Sequence, residues 1–112
     1  MAKEITTVSH NALAFGTTVK GEIITENDIR IDGKVEGNIE CKGKVVVGSS
    51  GVVQGNIVCA SAEIIGSQVG NLKAHDTLTI QASGKVTGDI DIRILIVEPN
   101  AIFQGKCTMK DE

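Results

Sequence analysis

The sequence predicts an all-β solenoid, and three observations carry that prediction. The first is strict alternation over residues 29–47, IRIDGKVEGNIECKGKVVV. Ile29, Ile31, Val35, Ile39, Cys41, Val45 and Val47 are apolar, Gly33, Gly37 and Gly43 share their parity, and the positions between are polar except Val46. A period of two scatters apolar residues around a helix but gathers them on one face of an extended chain. The second is a recurring phrase of apolar, any, Gly, polar, apolar residues. The third is that other apolar columns keep phase with that phrase. Glycines weaken a flat strand. They suit a ribbon that bends every few residues and keeps one face inward.

Taken in order, residues 1–11 fall outside the repeat and read as a short N-terminal tail. The solenoid then spans Ala12 to Met109, and residues 110–112 form a C-terminal tail. The phrase occurs as Val19-Lys20-Gly21-Glu22-Ile23, Val35-Glu36-Gly37-Asn38-Ile39 and Val53-Gln54-Gly55-Asn56-Ile57. Val69-Gly70-Asn71-Leu72 reads as the same phrase one residue short. Val86-Thr87-Gly88-Asp89-Ile90 and Phe103-Gln104-Gly105-Lys106-Cys107 complete it. The glycines step by 16, 18, 15, 18 and 17 residues. A second column pairs Ile29/Ile31, Val45/Val47, Ala62/Ile64, Leu78/Ile80 and Leu95/Val97. A third runs Thr25, Cys41, Cys59, Ala74, Ile92, Met109. Turn chemistry separates the columns at Gly48-Ser49-Ser50-Gly51, Gln81-Ala82-Ser83-Gly84 and Glu98-Pro99-Asn100-Ala101. Each repeat therefore makes one coil of about three short strands, and like residues stack between coils. Six coils at ~4.8 Å each make a rod roughly 29 Å long.

The strings ITENDIRIDGKVEGNI, VVVGSSGVVQGNIVC and LIVEPNAIFQGKCTM resemble bactofilins, over about residues 12–109. The resemblance implies a right-handed, three-sided parallel β-helix. It also implies a bacterial cytoskeletal protein that polymerises end to end without nucleotide, supports cell shape and localises cell-envelope partners such as cell-wall enzymes.

Residue chemistry points the same way. A coil stack has two ends, each exposing unpaired backbone groups and a layer of core side chains, and such an edge templates further pairing unless covered. No polar cap is evident in the sequence. The interface candidates are Leu13, Phe15, Val19 and Ile23 at one end and Phe103, Cys107 and Met109 at the other. The partner is then a second copy of the chain.

Composition narrows the remaining classes. A net charge of −3 and an aromatic content of 2% disfavour nucleic acid as a partner. There is no GxxxxGK[ST] phosphate loop, so no nucleotide cofactor is expected. Three cysteines without a CxxC, no leader-like apolar stretch and no run long enough to span a bilayer read as a cytosolic chain. Peripheral contact with the inner face of the cytoplasmic membrane rests on weak tail candidates, Met1, Ala2, Lys3 and Ile5. Cys41 and Cys59 lie in one column on adjacent coils and read as small core residues. His10 and His75 are too few and too scattered for zinc. His75-Asp76 lacks a nucleophile and an oxyanion site, so no catalytic residue is assigned. The alternatives are a left-handed hexapeptide solenoid enzyme, of acyltransferase or carbonic-anhydrase type, and a monomeric binding scaffold. The former keeps a strict six-residue beat, which these steps do not.

Overall fold

The computed structural model describes residues 10–109, and every described element is a strand. Coil one contains β1 (His10–Leu13), β2 (Thr18–Lys20) and β3 (Ile23–Thr25). Coil two contains β4 (Asp28–Ile31), β5 (Lys34–Glu36) and β6 (Ile39–Cys41). Coil three follows with β7 (Lys44–Val47), β8 (Val52–Gln54) and β9 (Ile57–Cys59), and coil four with β10 (Ser61–Ile64), β11 (Ser67–Val69) and β12 (Leu72–Ala74). Coils five and six are β13 (Thr77–Ile80), β14 (Lys85–Thr87), β15 (Ile90–Ile92), then β16 (Ile94–Val97), β17 (Ile102–Gln104) and β18 (Cys107–Met109). Every third strand pairs in parallel, giving three six-stranded sheets: β1-β4-β7-β10-β13-β16, β2 through β17, and β3 through β18. This is the expected three-sided parallel solenoid of six coils.

Strand lengths repeat as four, three and three residues in every coil, so the irregular glycine step comes from the corners alone. The corner from the first sheet to the second has four residues in coils one, three, five and six but two in coils two and four. The four-residue corners close with an i to i+3 bond, as in Gly51 N–H to Gly48 O at 2.8 Å and Ala101 N–H to Glu98 O at 3.1 Å. Their third residue takes positive φ at Gly16 (94°) and Asn100 (77°), the position where turns favour Gly or Asn. Pro99 precedes Asn100, where its fixed φ suits the turn and no ladder donor is lost. The corner from the third sheet back to the first has one or two residues. Corners can vary freely because alternation within each strand restores the inward face.

The corner from the second sheet to the third never varies. Each coil places there a glycine with positive φ, such as Gly21 (127°) and Gly88 (130°), followed by one polar residue. From coil two to coil five that residue caps the next coil. Asn38 Oδ1 accepts from Asn56 N–H at 3.0 Å, Asn56 Oδ1 from Asn71 N–H at 3.0 Å, Asn71 Oδ1 from Asp89 N–H at 3.2 Å, and Asp89 Oδ1 from Lys106 N–H at 3.3 Å. A short side chain with an acceptor oxygen is what this ladder needs, which explains the Gly-Asn phrase. Lys106 carries no acceptor, so the ladder stops at the last coil.

The core is one apolar column system. Ile31, Val47, Ile64 and Ile80 stack along the first sheet, Val35, Val53 and Val86 along the second, and Ile39, Ile57, Leu72 and Ile90 along the third, all at most 1% exposed. Two sequence readings change. First, β1 opens at His10, whose backbone pairs with Asp28, so pairing reaches two residues into the stretch read as tail. Second, coil four lacks nothing. Gln68, not Val69, stands in register between Val53 and Val86, and Val69 points outward at 47% exposed. Gly70 fixes the corner, and alternation then sends the residue two before it inward. Gln68 is fully buried, and its Nε2 donates to Gly55 O and Gly70 O, each at 3.1 Å.

Candidate functional site

The chemistry concentrates at the two ends. At the C-terminal end β16, β17 and β18 are each the last strand of a sheet, paired on one side only. Leu95, Val97, Phe103, Cys107 and Met109 cover Leu78, Ile80, Val86, Ile90 and Ile92 in register. The covered residues are at most 1% exposed, whereas Val97 is 44% and Met109 54% exposed. The last layer is thus a core layer with one face missing. Phe103, Cys107 and Met109 fall together in this layer. Leu95 and Val97 complete the layer, and their column equivalence with Leu78 and Ile80 is the signal that identifies them.

At the N-terminal end Leu13, Val19 and Ile23 form the first layer and pack on the core. Phe15 does not join them. It sits in the corner after β1 and is 80% exposed. The corner position equivalent to Phe15 is Ser49 in coil three, a solvent-facing site. This end also carries two polar groups, of which sequence reading placed Thr25 in its column and missed Asn11. Asn11 occupies the column of Ile29, and Thr25 that of Cys41. Asn11 Nδ2 donates to Thr25 Oγ1 at 2.8 Å, and the same oxygen accepts from Asn27 N–H at 3.1 Å. One corner of the first layer is therefore polar, while the last layer is apolar throughout. Among the described residues no strand lies beyond either end layer. The tail candidates Met1, Ala2, Lys3 and Ile5 lie outside the described residues.

The remaining candidates have structural roles. Cys41, Cys59 and Cys107 are free thiols. Burial, then the neighbouring Cys41, pushes the Cys59 thiol up to about 12, and burial raises Cys41 and Cys107 as well. The Cys41 thiol lies 3.2 Å from Asn27 O, and its sulfur accepts from Gly43 N–H at 3.3 Å. His75 and Asp76 lie at an exposed corner, where Asp76 meets Arg93 at 3.8 Å. Among the described residues no group of three or more His, Cys, Asp or Glu could hold a metal ion. No described helix is long and apolar enough to cross a membrane.

Known proteins place this geometry in context. A family profile described as bactofilin, polymer-forming cytoskeletal, matches residues 11–108. The chain is 30% identical over 107 residues to bactofilin BacO of Myxococcus xanthus (strain DK1622), covering 96% of this chain and 85% of that one. It is 28% identical over 113 residues to BacP of the same organism, covering 98% of this chain and 47% of the relative, so it spans about half of BacP's length. Among solved structures, a cryo-EM reconstruction of Thermus thermophilus bactofilin double helical filaments superposes with TM-score 0.86 at 29% identity, over 89% of this chain and 99% of that one. The solid-state NMR structure of the cytoskeletal bactofilin BacA gives TM-score 0.82 at 28% identity, over 95% and 100%.

Proposed function

The chain belongs to the bactofilin family of polymer-forming cytoskeletal proteins, and from that premise we propose that it assembles end to end, without nucleotide, into filaments built through the layers described above. The observation that carries this reading is the last coil: three strands unpaired on one side and five apolar residues that inner coils would bury. Docking another coil there converts a half-exposed layer into core. Full burial of one such side chain is worth ~1.5–3 kcal/mol, against association costs of ~4–15 kcal/mol, so several side chains plus a row of backbone bonds are needed together. Both end layers supply them. Growth requires no bound switch, because each addition repeats the contact already made between coils. The matches are bactofilins throughout and lend no support to the hexapeptide-enzyme alternative.

We extend to this chain the double-helical arrangement of the Thermus thermophilus relative, with two strands of stacked molecules side by side. Its cellular role on this reading is a scaffold in the cytoplasm, peripheral at the inner membrane face, that supports cell shape and positions cell-wall enzymes. Negative-stain microscopy of purified protein in nucleotide-free buffer tests the core of it. Filaments are expected; discrete particles at every attainable concentration would refute it.

A further inference from the structure

We propose that the outer face of the first sheet over coils five and six, formed by Thr77, Thr79, Ile94 and Ile96, is the lateral contact between paired filament strands, its occupant a second copy of this chain. This rests on the filament reading and adds the face by which two filaments meet. Two strands wound together touch along their sides, and a solenoid offers only three.

The first sheet changes character along its length. Coils two to four present charge outward beside Val46 and Ser61 and hold it in pairs: Arg30 with Asp32 at 2.9 Å and Lys44 with Glu63 at 3.2 Å. On the strands of the next two coils the outward residues are uncharged. Thr77 pairs with Ile94 and Thr79 with Ile96 in register, and Ile94 and Ile96 are 44% and 47% exposed. Apolar side chains standing out from a strand have no role in the solenoid's own core, because alternation commits only Leu95 and Val97 inward. The patch is also continuous with the end layer, since Ile94 and Ile96 alternate with Leu95 and Val97 along β16. A molecule docked on the end therefore meets the edge of the lateral patch, and repeated patches line one side of a strand. An anionic lipid surface fits less well. The nearest cation at the corner, Arg93, faces Asp76 at 3.8 Å, and such surfaces bind through clustered free cations.

The test compares the full-length chain with the Ile94→Lys/Ile96→Lys double variant and, separately, with Thr79→Lys one coil inward, using negative-stain microscopy and pelleting without nucleotide. Thermal melting by circular dichroism checks that each variant folds; should the double variant not fold, Thr79→Lys is the deciding case. The expected result is paired filaments for the parent chain and loss of pairing in the variants, with single filaments that still pellet. Paired filaments in the folded variants overturn the proposal. So does loss of all filaments from a folded variant, which would put Ile94 and Ile96 in the end contact. A parent chain that forms only single filaments overturns the lateral face and leaves end-to-end assembly standing; one that forms none removes both. Binding to phosphatidylglycerol vesicles that the double substitution abolishes, while pairing persists, assigns the patch to lipid and overturns it too.

Discussion

Gly21 and Gly88 form a matched pair for measuring what coil stacking demands. Their φ values are nearly equal, 127° and 130°, in a region side chains avoid. Replacing either with Ala therefore incurs the same conformational cost, ~1–3 kcal/mol, and the same small change in unfolded-chain entropy. Their surroundings differ. A Cβ on Gly88 would press into the Gly70 carbonyl, with the carbonyl carbon only 2.7 Å away. That neighbour is backbone and cannot rotate aside. The strands must separate, straining the bonds from Gly70 N–H to Thr87 O at 2.8 Å and from Leu72 N–H to Asp89 O at 2.9 Å. A Cβ on Gly21 meets nothing within 4 Å, because among the described residues no coil lies on that side. Overpacking against a fixed neighbour costs a further ~1–3 kcal/mol. Gly88→Ala should thus melt below Gly21→Ala by roughly 4–8 °C per kcal/mol of that excess. The comparison is best made by thermal melting in a Phe103→Arg background, where assembly does not add to stability. Equal melting temperatures for the two variants would refute the argument that the glycine column exists to let carbonyls stack.

Phe103→Arg itself should keep the fold yet prevent growth at the C-terminal end, since a charge placed in an apolar contact is left desolvated and unpaired; sedimentation velocity should find nothing larger than small oligomers, and undiminished filaments would remove Phe103 from the interface. Gln68→Ala should lose ~2–4 kcal/mol in urea unfolding, from two side-chain bonds and the void left in the column; a loss under ~1 kcal/mol would show that Gln68 is a passive filler. The raised Cys59 thiol means the folded chain holds a proton that the unfolded chain releases from about pH 9. Its contribution is complete below pH 9 and declines as pH rises toward about 12, so the parent chain should lose stability over that window and Cys59→Ala should lose less. Parallel pH curves for the two would contradict this. In the folded, unassembled Phe103→Arg variant at pH 8, a thiol reagent should modify Cys107 before Cys41 and Cys59; simultaneous reaction of all three would mean the central coils open as easily as the end.

Residue order carried much of this architecture. The inward columns were legible because alternation is local: Val35 and Ile39, or Leu78 and Ile80, declare their face by spacing alone. The six glycines declared the coil count because one corner is identical in every coil. What stayed hidden has a common cause. Gln68 is polar by type but inward by register, and only the fixed position of Gly70 reveals it. Phe15 is apolar by type but lies in a corner that varies between two and four residues, so its direction cannot be counted from a strand. Asn11 looks like an ordinary polar residue until the ladder puts it in the column of Ile29, where it meets Thr25, whose own column is declared by spacing. Side-chain type is a poor guide wherever register decides direction, and register at the ends comes from pairing across 16 to 18 residues.

The most direct measurement of the central claim is the axial rise per chain in nucleotide-free filaments, read from a cryo-EM helical reconstruction. If molecules stack as their own coils do, six coils at ~4.8 Å should advance each strand by roughly 29 Å per chain, with unbroken ~4.8 Å spacing across the junctions. A rise well away from that value, or a break in the spacing where chains meet, would show that the ends do not continue the solenoid.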